Sequence, residues 1–166
     1  MKDQKKIGVI FVCMGNICRS PTAQGVFAKL VEEHGMQDRV VVDSAGTHAY
    51  HVGEAPDARS ARAAAERGID LMQQRARRVT VQDFHQFDYV LAMDSDNYNH
   101  LAAMCPEGCE AKLRLFLSFA PQLDIRDVPD PYYGGVTGFE RVLDMVEAAA
   151  RGLLEDVEAK LAQTIR

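Results

Sequence analysis

The chain has 166 residues and a formal net charge of −5, from 24 acidic and 19 basic side chains. Hydrophobic residues make up 47% and charged residues 26%, which is typical of a globular protein that buries a core. The acidic balance argues against nucleic acid as a partner, and no polybasic patch points to a membrane surface.

The one strongly apolar segment near the N-terminus, Ile7 to Cys13, is too short for a signal peptide core or a membrane span. We therefore expect a cytoplasmic protein, and at this size a monomer is the default expectation. In a reducing compartment the four cysteines are expected to be free rather than paired.

Apolar runs alternate with helical patterns along the chain, which predicts βαβ units and a mainly parallel sheet. The β-branched run Ile7–Val12 is typical of a strand buried on both faces. A helix is predicted from Pro21, at a helix-start position, until Gly35 ends it. Further strands are predicted at Val40–Val42, Tyr89–Ala92 and Lys112–Phe116, and further helices at Ala58–Arg67, Asp94–Met104 and Phe139–Ala162. Two loops, Thr47–Asp57 and Asp127–Gly135, carry the turn-forming prolines and glycines.

The most informative segment is the loop between the first strand and the first helix, where Cys13 and Arg19 are spaced as Cys-x5-Arg. In open α/β sheets, ligands bind beyond the carboxyl ends of the strands, where helix N-termini favour anions. The loop therefore predicts a site for a phosphate group. Gly15 supplies backbone freedom there, and Asn16 tolerates a left-handed conformation.

The residue types in this loop suit phosphoryl transfer through sulfur. Cys13 in its thiolate form is a nucleophile. Arg19 presents a planar fork that grips two phosphate oxygens, and Ser20 is placed to donate to the Cys13 sulfur. The alternative interpretation of the loop alone is a buried structural cysteine beside a surface arginine.

With Asp130-Pro131-Tyr132-Tyr133 included, the chain closely resembles the low-molecular-weight protein tyrosine phosphatases, which carry C-x5-R-S near the N-terminus and D-P-Y-Y near the C-terminus. The resemblance spans almost the whole chain. Further matching segments are Asp43-Ser44-Ala45-Gly46, Gly53-x-x-Pro56-Asp57-x-Arg59, Gly68-Ile69-Asp70, Asp83-Phe84 and Met93-Asp94.

The resemblance implies one domain over residues 1–166, with a four-stranded parallel sheet and helices on both faces. This is a three-layer α/β sandwich of the phosphotyrosine phosphatase I-like type, related to Rossmann and flavodoxin-like folds. It also implies metal-independent hydrolysis without a cofactor: Cys13 attacks phosphorus, and Asp130 first protonates the leaving phenolate and then activates water. The expected ligands are a tyrosine-phosphorylated protein and inorganic phosphate or another oxyanion. The implied phosphate-binding loop comprises Met14, Gly15, Asn16, Ile17, Cys18 and Ser20.

Two further groups follow from the resemblance. Ser44 and Asn16 are expected to support the phosphate loop, together with Gln74, which stands where the family often has a histidine. Tyr50, Tyr132 and Tyr133 are expected to wall an aryl-phosphate cleft.

The remaining cysteines leave alternatives open. The resemblance implies a reversible Cys13–Cys18 disulfide under oxidation, whereas Cys18 as a packed small hydrophobe is the other interpretation. Cys105 and Cys109 lack a matching second ligand pair, so no zinc site is expected. The histidines are expected at surface or loop positions. The arginines at 75, 77 and 78 are expected on a solvated face, and the alternative is that they receive acidic residues beside a phosphotyrosine.

Two rival functions remain at this point. An arsenate reductase shares the fold and the cysteine–arginine loop, but the usual spacing of its resolving cysteines is absent here. A catalytically quiet phosphotyrosine-binding module would not need a nucleophile and an acid together, so Cys13 and Asp130 favour hydrolysis.

Overall fold

The computed structural model of the protein describes residues 6–131 and 135–164. The strands are β1 (Ile7–Cys13), β2 (Val40–Gly46), β3 (Tyr89–Ala92) and β4 (Leu113–Leu115). The helices are α1 (Arg19–Glu33), α2 (Ala58–Glu66), α3 (Val81–Gln86), α4 (Ser95–Met104) and α5 (Gly135–Thr164). The four strands form one sheet in the order β2-β1-β3-β4, and each neighbouring pair is parallel.

Successive residues of β1 point to opposite faces of the sheet, and both faces are buried. Val9 and Phe11 belong to a core cluster that includes α1, α2 and α5, and the Phe11 ring lies 5.0 Å from that of Phe116. Ile10 and Val12 belong to a second cluster with α3 and α4. The predicted three-layer α/β architecture with a four-stranded parallel sheet is confirmed.

Strand order places the loop after β1 at a crevice. From β1 the chain crosses over to β2 on one side, and it later returns to β3 on the other side of β1. Connections therefore leave β1 and β3 in opposite directions, and in such sheets ligands bind outside the carboxyl ends of the strands at this point. Cys13 ends β1, Gly46 ends β2, and Asp94 follows β3 after one residue.

Several element boundaries differ from the predicted ones. β2 continues four residues past Val42, and α5 begins four residues before Phe139. α1 starts at Arg19, so Pro21 lies in its first turn, where no N–H is needed for helix hydrogen bonding. The six-residue helix α3 was not predicted, because it is too short to show a helical repeat; a capping box between Thr80 and Asp83 begins it.

Within the described ranges, no helix combines the length and the apolar character that a bilayer crossing needs.

Candidate active site

The loop that joins β1 to α1 is held in a tight conformation by its own residues and by the end of β2. Asn16 adopts a left-handed backbone with φ of 57°, which asparagine tolerates better than most residues. Gly46 packs directly against this loop, because a Cβ atom there would lie 2.8 Å from the carbonyl oxygen of Met14. The glycine at the end of β2 is therefore a steric requirement of the loop.

Carbonyl oxygens of the loop are bound by amides from the segments that surround it. These bonds run from Thr47 N to Cys13 O (2.8 Å), from His48 N to Met14 O (3.0 Å) and from Asp57 N to Ile17 O (2.7 Å). By contrast, residues 6–131 and 135–164 supply no hydrogen-bond acceptor for the amides of Gly15, Ile17 and Cys18. The carbonyl oxygens of Cys13, Met14 and Ile17 are thus occupied while amide donors of the loop are available, which is the arrangement an anion needs.

The Cys13 sulfur is buried, with 3% of the residue exposed, and two donors contact it. The Asn16 amide donates to Sγ at 3.3 Å, and the Ser20 hydroxyl lies 3.0 Å away. Ser20 Oγ accepts from Asn16 Nδ2 at 2.8 Å, and the Cys13 sulfur at 3.0 Å is a closer acceptor for its proton than the carbonyl oxygen of Ala45 at 3.4 Å. A charged sulfur at this position therefore has hydrogen-bonding partners.

The Asn16 side chain uses all its polar groups to support the loop. Nδ2 donates to Ser20 Oγ and, at 2.9 Å, to Ser44 Oγ, while Oδ1 accepts from the Arg77 amide at 3.0 Å. Ser44 in turn donates to Gln24 Oε1 at 2.6 Å. The structure thus brings Asn16, Ser44 and Ser20 together as expected, and it adds Gln24 as a partner that sequence reasoning missed.

Gln74 lies at the edge of this network. Its Nε2 donates to the carbonyl oxygen of Pro21 at 2.9 Å, whereas its Oε1 is 3.5 Å from Ser44 Oγ. Because Gln24 is the much closer acceptor of the Ser44 proton, Gln74 acts mainly on the first turn of α1. Its expected contact with Ser44 is therefore the weaker of the two.

Arg77 is only partly solvated, with 35% of its side chain exposed, whereas the sequence predicts a solvated face. Its guanidinium makes two 3.0 Å bonds to the buried carboxylate of Asp83 and a 2.9 Å bond to Asp43. These partners raise the pKa of Arg77 despite the burial that opposes its charge. Arg77 therefore connects α3, β2 and, through its amide, the phosphate loop.

Arg19 is buried, with 6% of the residue exposed, and it is fixed by two acceptors. Nη1 donates to Asp94 Oδ2 at 2.6 Å and to the carbonyl oxygen of Val128 at 3.1 Å. Burial opposes the charge, but the neighbouring Cys13 sulfur and the Asp94 carboxylate outweigh it and raise the pKa of Arg19. The guanidinium is therefore a permanent, preoriented cation.

Asp94 is a functional residue that sequence reasoning missed, although its segment was part of the resemblance. Its Oδ1 accepts from the Asn97 amide at 2.7 Å and so caps α4, while its Oδ2 holds Arg19. An aspartate after a strand and before a helix signals an N-cap. Nothing in the sequence indicates where its second oxygen points.

These residues line one cleft of about 230 Å³. Its lining comprises Cys13, Met14, Gly15, Ile17, Cys18, Arg19, His51 and Asp130. The predicted nucleophile, arginine and acid are thus brought to one place although Asp130 is more than a hundred residues from Arg19. The predicted Tyr132 and Tyr133 lie outside the described residues.

Tyr50 does not line this cleft in the structure, contrary to expectation. Its side chain is largely exposed, with 71% of the residue accessible, and its ring stacks on His48 at 5.2 Å. The next residue, His51, lines the cleft instead, with Nδ1 3.0 Å from Glu54 Oε2. His51 also covers Gly15, whose Cβ would lie 3.0 Å from the imidazole Cδ2. In a loop without regular structure, the sequence does not indicate which of two neighbours faces inward.

Cys18 differs from Cys13 although both are in the same loop. Burial is the largest influence and raises the pKa of the Cys18 thiol to about 12, although a hydrogen bond with Ser60 opposes this. The Cys18 side chain packs in the core cluster with α1 and α2. It is therefore a neutral thiol near neutral pH, and both cysteines are free in the structure.

Among the described residues, Cys105 and Cys109 lack the further ligands that a metal centre needs. Cys109 Sγ is 4.0 Å from His85 Nδ1, and Cys105 packs beside it. No group of three or more His, Cys, Asp or Glu side chains suited to a metal ion occurs in the part of the chain that the structure describes.

Comparisons with known proteins agree with this geometry. The family described as low molecular weight phosphotyrosine protein phosphatase matches residues 8–163. A low molecular weight protein-tyrosine-phosphatase of Streptomyces coelicolor is 45% identical, over 93% of this chain and 98% of its own. The human low molecular weight phosphotyrosine protein phosphatase is 40% identical, over 93% and 98%. A crystal structure of a protein tyrosine phosphatase from Entamoeba histolytica superposes with a TM-score of 0.90 at 40% identity, covering 93% of this chain and 99% of that one.

The fold and the cysteine–arginine loop define an α/β phosphatase of the cysteine-dependent class. The chain belongs to the low molecular weight phosphotyrosine protein phosphatase family. The predicted family and enzyme class are thereby confirmed, and the comparisons do not favour the arsenate reductase alternative.

Proposed function

We propose that the protein hydrolyses phosphotyrosine in proteins through a phosphate ester of Cys13. The observation that carries this proposal is the single cleft in which Cys13, Arg19 and Asp130 meet above a loop of available amides. A nucleophile, a fixed cation and a carboxyl group in one small volume are what hydrolysis by double displacement requires.

Arg19 is well placed to grip the phosphate. A guanidinium has five N–H donors, and the two on Nη1 are directed at Asp94 and Val128. Nε and Nη2 remain, and the described residues supply no acceptor for them. These two nitrogens form one edge of the fork and suit two phosphate oxygens, while the loop amides bind the rest of the dianion.

In the first step, the Cys13 thiolate attacks phosphorus in line with the departing tyrosine oxygen. The S–P bond forms as the P–O bond to the tyrosine breaks, and protonated Asp130 gives its proton to the phenolate. The charge on the phosphoryl oxygens is carried by the loop amides and Arg19, which need no rearrangement because their positions are already fixed.

In the second step, Asp130 takes a proton from water, whose oxygen attacks phosphorus. The S–P bond breaks and inorganic phosphate is released. The sulfur leaves as a thiolate that accepts hydrogen bonds from Ser20 and the Asn16 amide. Both steps use only protein groups and water, so the proposed reaction requires no metal or cofactor.

Aryl phosphates suit the cleft better than shorter substrates. Cys13 lies at its floor with 3% of the residue exposed, whereas Met14 stands at the rim with 44% exposed. A phosphotyrosine side chain is long enough to reach a recessed sulfur, and Ile17 offers an apolar contact along the way. The roles of Tyr132 and Tyr133 in walling this cleft remain predictions.

Rapid mixing with p-nitrophenyl phosphate tests the proposal. We expect a burst of nitrophenolate equal to the enzyme concentration, then steady turnover, and loss of both in Cys13→Ser. Nitrophenolate release that persists in this variant would overturn the proposal. Oxidation of thiols that depends on arsenate, without phosphate ester turnover, would instead indicate the reductase, and binding without release of phosphate would indicate the binding module.

Four further expectations from the sequence are still predictions. They are a cytoplasmic location, a monomeric state, a single domain over residues 1–166 and a Cys13–Cys18 disulfide under oxidation. Mass spectrometry after mild peroxide treatment tests the last of these: Cys13 oxidised to its sulfinic acid without a link to Cys18 would reject it.

A further inference from the structure

A second cavity, larger than the catalytic cleft, runs beside the last strand of the sheet. It has a volume of about 600 Å³, and its lining includes Leu113, Arg114 and Leu115 of β4 together with Ser95, Tyr98 and Arg126. A neighbouring cavity shares Leu115 and Arg126 and continues past Ile125. We call the two cavities together the β4 groove.

The groove follows the edge of β4 rather than one of its faces. Successive residues of a strand point to opposite faces, yet three consecutive residues of β4 line the same cavity. Within the described residues, β4 is the last strand of the sheet and pairs only with β3. The groove therefore exposes backbone groups of an edge strand, which favour pairing with another extended segment.

The charge of the larger cavity is unusual for this protein. Among the described residues its charged lining consists of Arg114 and Arg126 and includes no carboxylate, although the Asp127 carboxylate is bonded to the lining residue Ser95 and the chain as a whole has a net charge of −5. Arg114 stacks over the Phe119 ring at 4.2 Å, and no salt bridge to either arginine occurs among residues 6–131 and 135–164. Asp124 lines only the neighbouring cavity. Two cations without an acidic partner favour an acidic ligand.

Residues at one end of the groove are close in sequence to residues that form the catalytic cleft or support it. Ser95, which lines the groove, donates to the Asp127 carboxylate through its amide at 2.9 Å and its hydroxyl at 2.8 Å. The residue before Ser95 is Asp94, which holds Arg19, and Asp127 precedes Asp130 by three residues. Three residues span at most about 10 Å of chain, so a peptide of a few residues can reach from one site to the other.

We propose that the β4 groove binds an extended acidic segment of the phosphotyrosine-bearing substrate protein, which pairs with β4 as a fifth strand. This inference rests on the proposed function, because it assigns the substrate of the same catalytic site. Backbone pairing supplies binding that tolerates many sequences, and the two arginines select acidic side chains about three to six positions from the phosphotyrosine.

Paired phosphotyrosine peptides test this inference. One carries glutamates in the flanking segment, and the other carries glutamines at the same positions. For the unmodified protein we expect KM for the glutamate peptide to be about five- to tenfold lower at low salt, because each exposed ion pair contributes modestly. Kcat should be similar for both. In the double variant Arg114→Gln/Arg126→Gln the two KM values should become equal.

Arg151→Gln is the control for loss of a positive charge, since Arg151 lies on α5 and lines a different cavity. It should keep the preference for glutamate. A glutamate peptide with alternate backbone amides methylated should lose its advantage, because it cannot pair with β4.

The outcomes separate this inference from the proposed function. Equal KM values for both peptides with the unmodified protein, or a glutamate preference that survives in the double variant, would overturn the inference. So would an advantage that persists after methylation, because the ligand would then not be a strand. All variants should hydrolyse p-nitrophenyl phosphate at the unmodified rate, and failure of that hydrolysis throughout would instead contradict the proposed function.

Discussion

The floor and the walls of the catalytic cleft are built in different ways. The floor is the loop from Cys13 to Ser20, which is joined to the central strand and held by hydrogen bonds from β2, α1 and the Arg77 amide. The walls come from two segments without regular structure, which contribute His51 and Asp130. A buried network positions the phosphate, whereas residues nearer the solvent decide which phosphate ester enters.

Replacing the nucleophile should give the largest effect on the floor. Cys13→Ser should lower kcat by about ten-thousand-fold or more, because serine lacks a thiolate. The matched control is Cys18→Ser, which removes the other thiol of the same loop. It should cost about 1–2 kcal/mol of stability, because a more polar hydroxyl replaces a buried thiol that packs in the core cluster, and leave kcat within about threefold. Steady-state kinetics and thermal melts measure both, and equal losses of activity would contradict the assignment.

The two thiols should also differ in their reaction with iodoacetamide. Because the pKa of Cys18 is about 12, only about one Cys18 in ten thousand is a thiolate at about pH 8. Its labelling rate should therefore rise about tenfold per pH unit from about pH 8 to about pH 11. Inorganic phosphate in the cleft should protect Cys13 from labelling. Peptide mapping that finds Cys18 labelled as fast as Cys13 at about pH 8 would contradict the predicted difference between the two thiols.

On the wall, Asp130→Asn should lower kcat by about 100- to 1000-fold for phenyl phosphate, because no acid protonates the leaving phenolate. The loss should be smaller for p-nitrophenyl phosphate, whose leaving group is less basic. Asp124→Asn is a suitable control, since Asp124 has φ of 53° and asparagine tolerates that backbone. Equal losses for the two substrates would show that Asp130 is not the acid.

Support for the floor can be removed without touching the reacting atoms. Asn16→Ala deletes three hydrogen bonds and places alanine at positive φ, so we expect a loss of about 2–4 kcal/mol of stability. Kcat should fall about 10- to 100-fold as the loop amides lose their positions. Asn16→Gly removes the same bonds without the strain, and urea denaturation should place it about 1 kcal/mol above the alanine variant. Unchanged kcat in both would contradict the role of the network.

The smallest effect is expected where the chain departs from its family. Gln74→His should leave kcat/KM within a few-fold, because Gln74 mainly bonds to the Pro21 carbonyl and only weakly to Ser44. A histidine at this position retains one donor for that carbonyl. A hundredfold change in steady-state assays would show that the network depends on Gln74 far more than its contacts indicate.

The floor was predictable because its information is local. The apolar run of β1, the Cys-x5-Arg spacing and Asn16 at a tight turn all lie between Ile7 and Arg19, so the sequence predicts both the loop and its chemistry. The parallel sheet follows similarly from alternating apolar and helical segments. Asp130 was assigned through the resemblance, and the structure then placed it in the cleft.

The residues that sequence reasoning missed depend on tertiary contacts. Asp94 signals a helix cap, but its contact with Arg19 follows from the packing of β3 beside β1. In the sequence Arg77 is one of several arginines predicted at the surface. Its contact with Asp83 depends on the position of α3 in the fold. Tyr50 and His51 are neighbours in a loop, and hydrophobic patterns do not indicate which one faces inward.

The central claim is that phosphate is transferred to one sulfur, at the end of the central strand. Acid quenching of the protein during turnover of p-nitrophenyl phosphate, followed by peptide mass spectrometry, tests it most directly. We predict a phosphoryl adduct on Cys13 that disappears when substrate is exhausted. An adduct on Cys18, or full turnover with phosphate found on no cysteine at any time, would contradict the account.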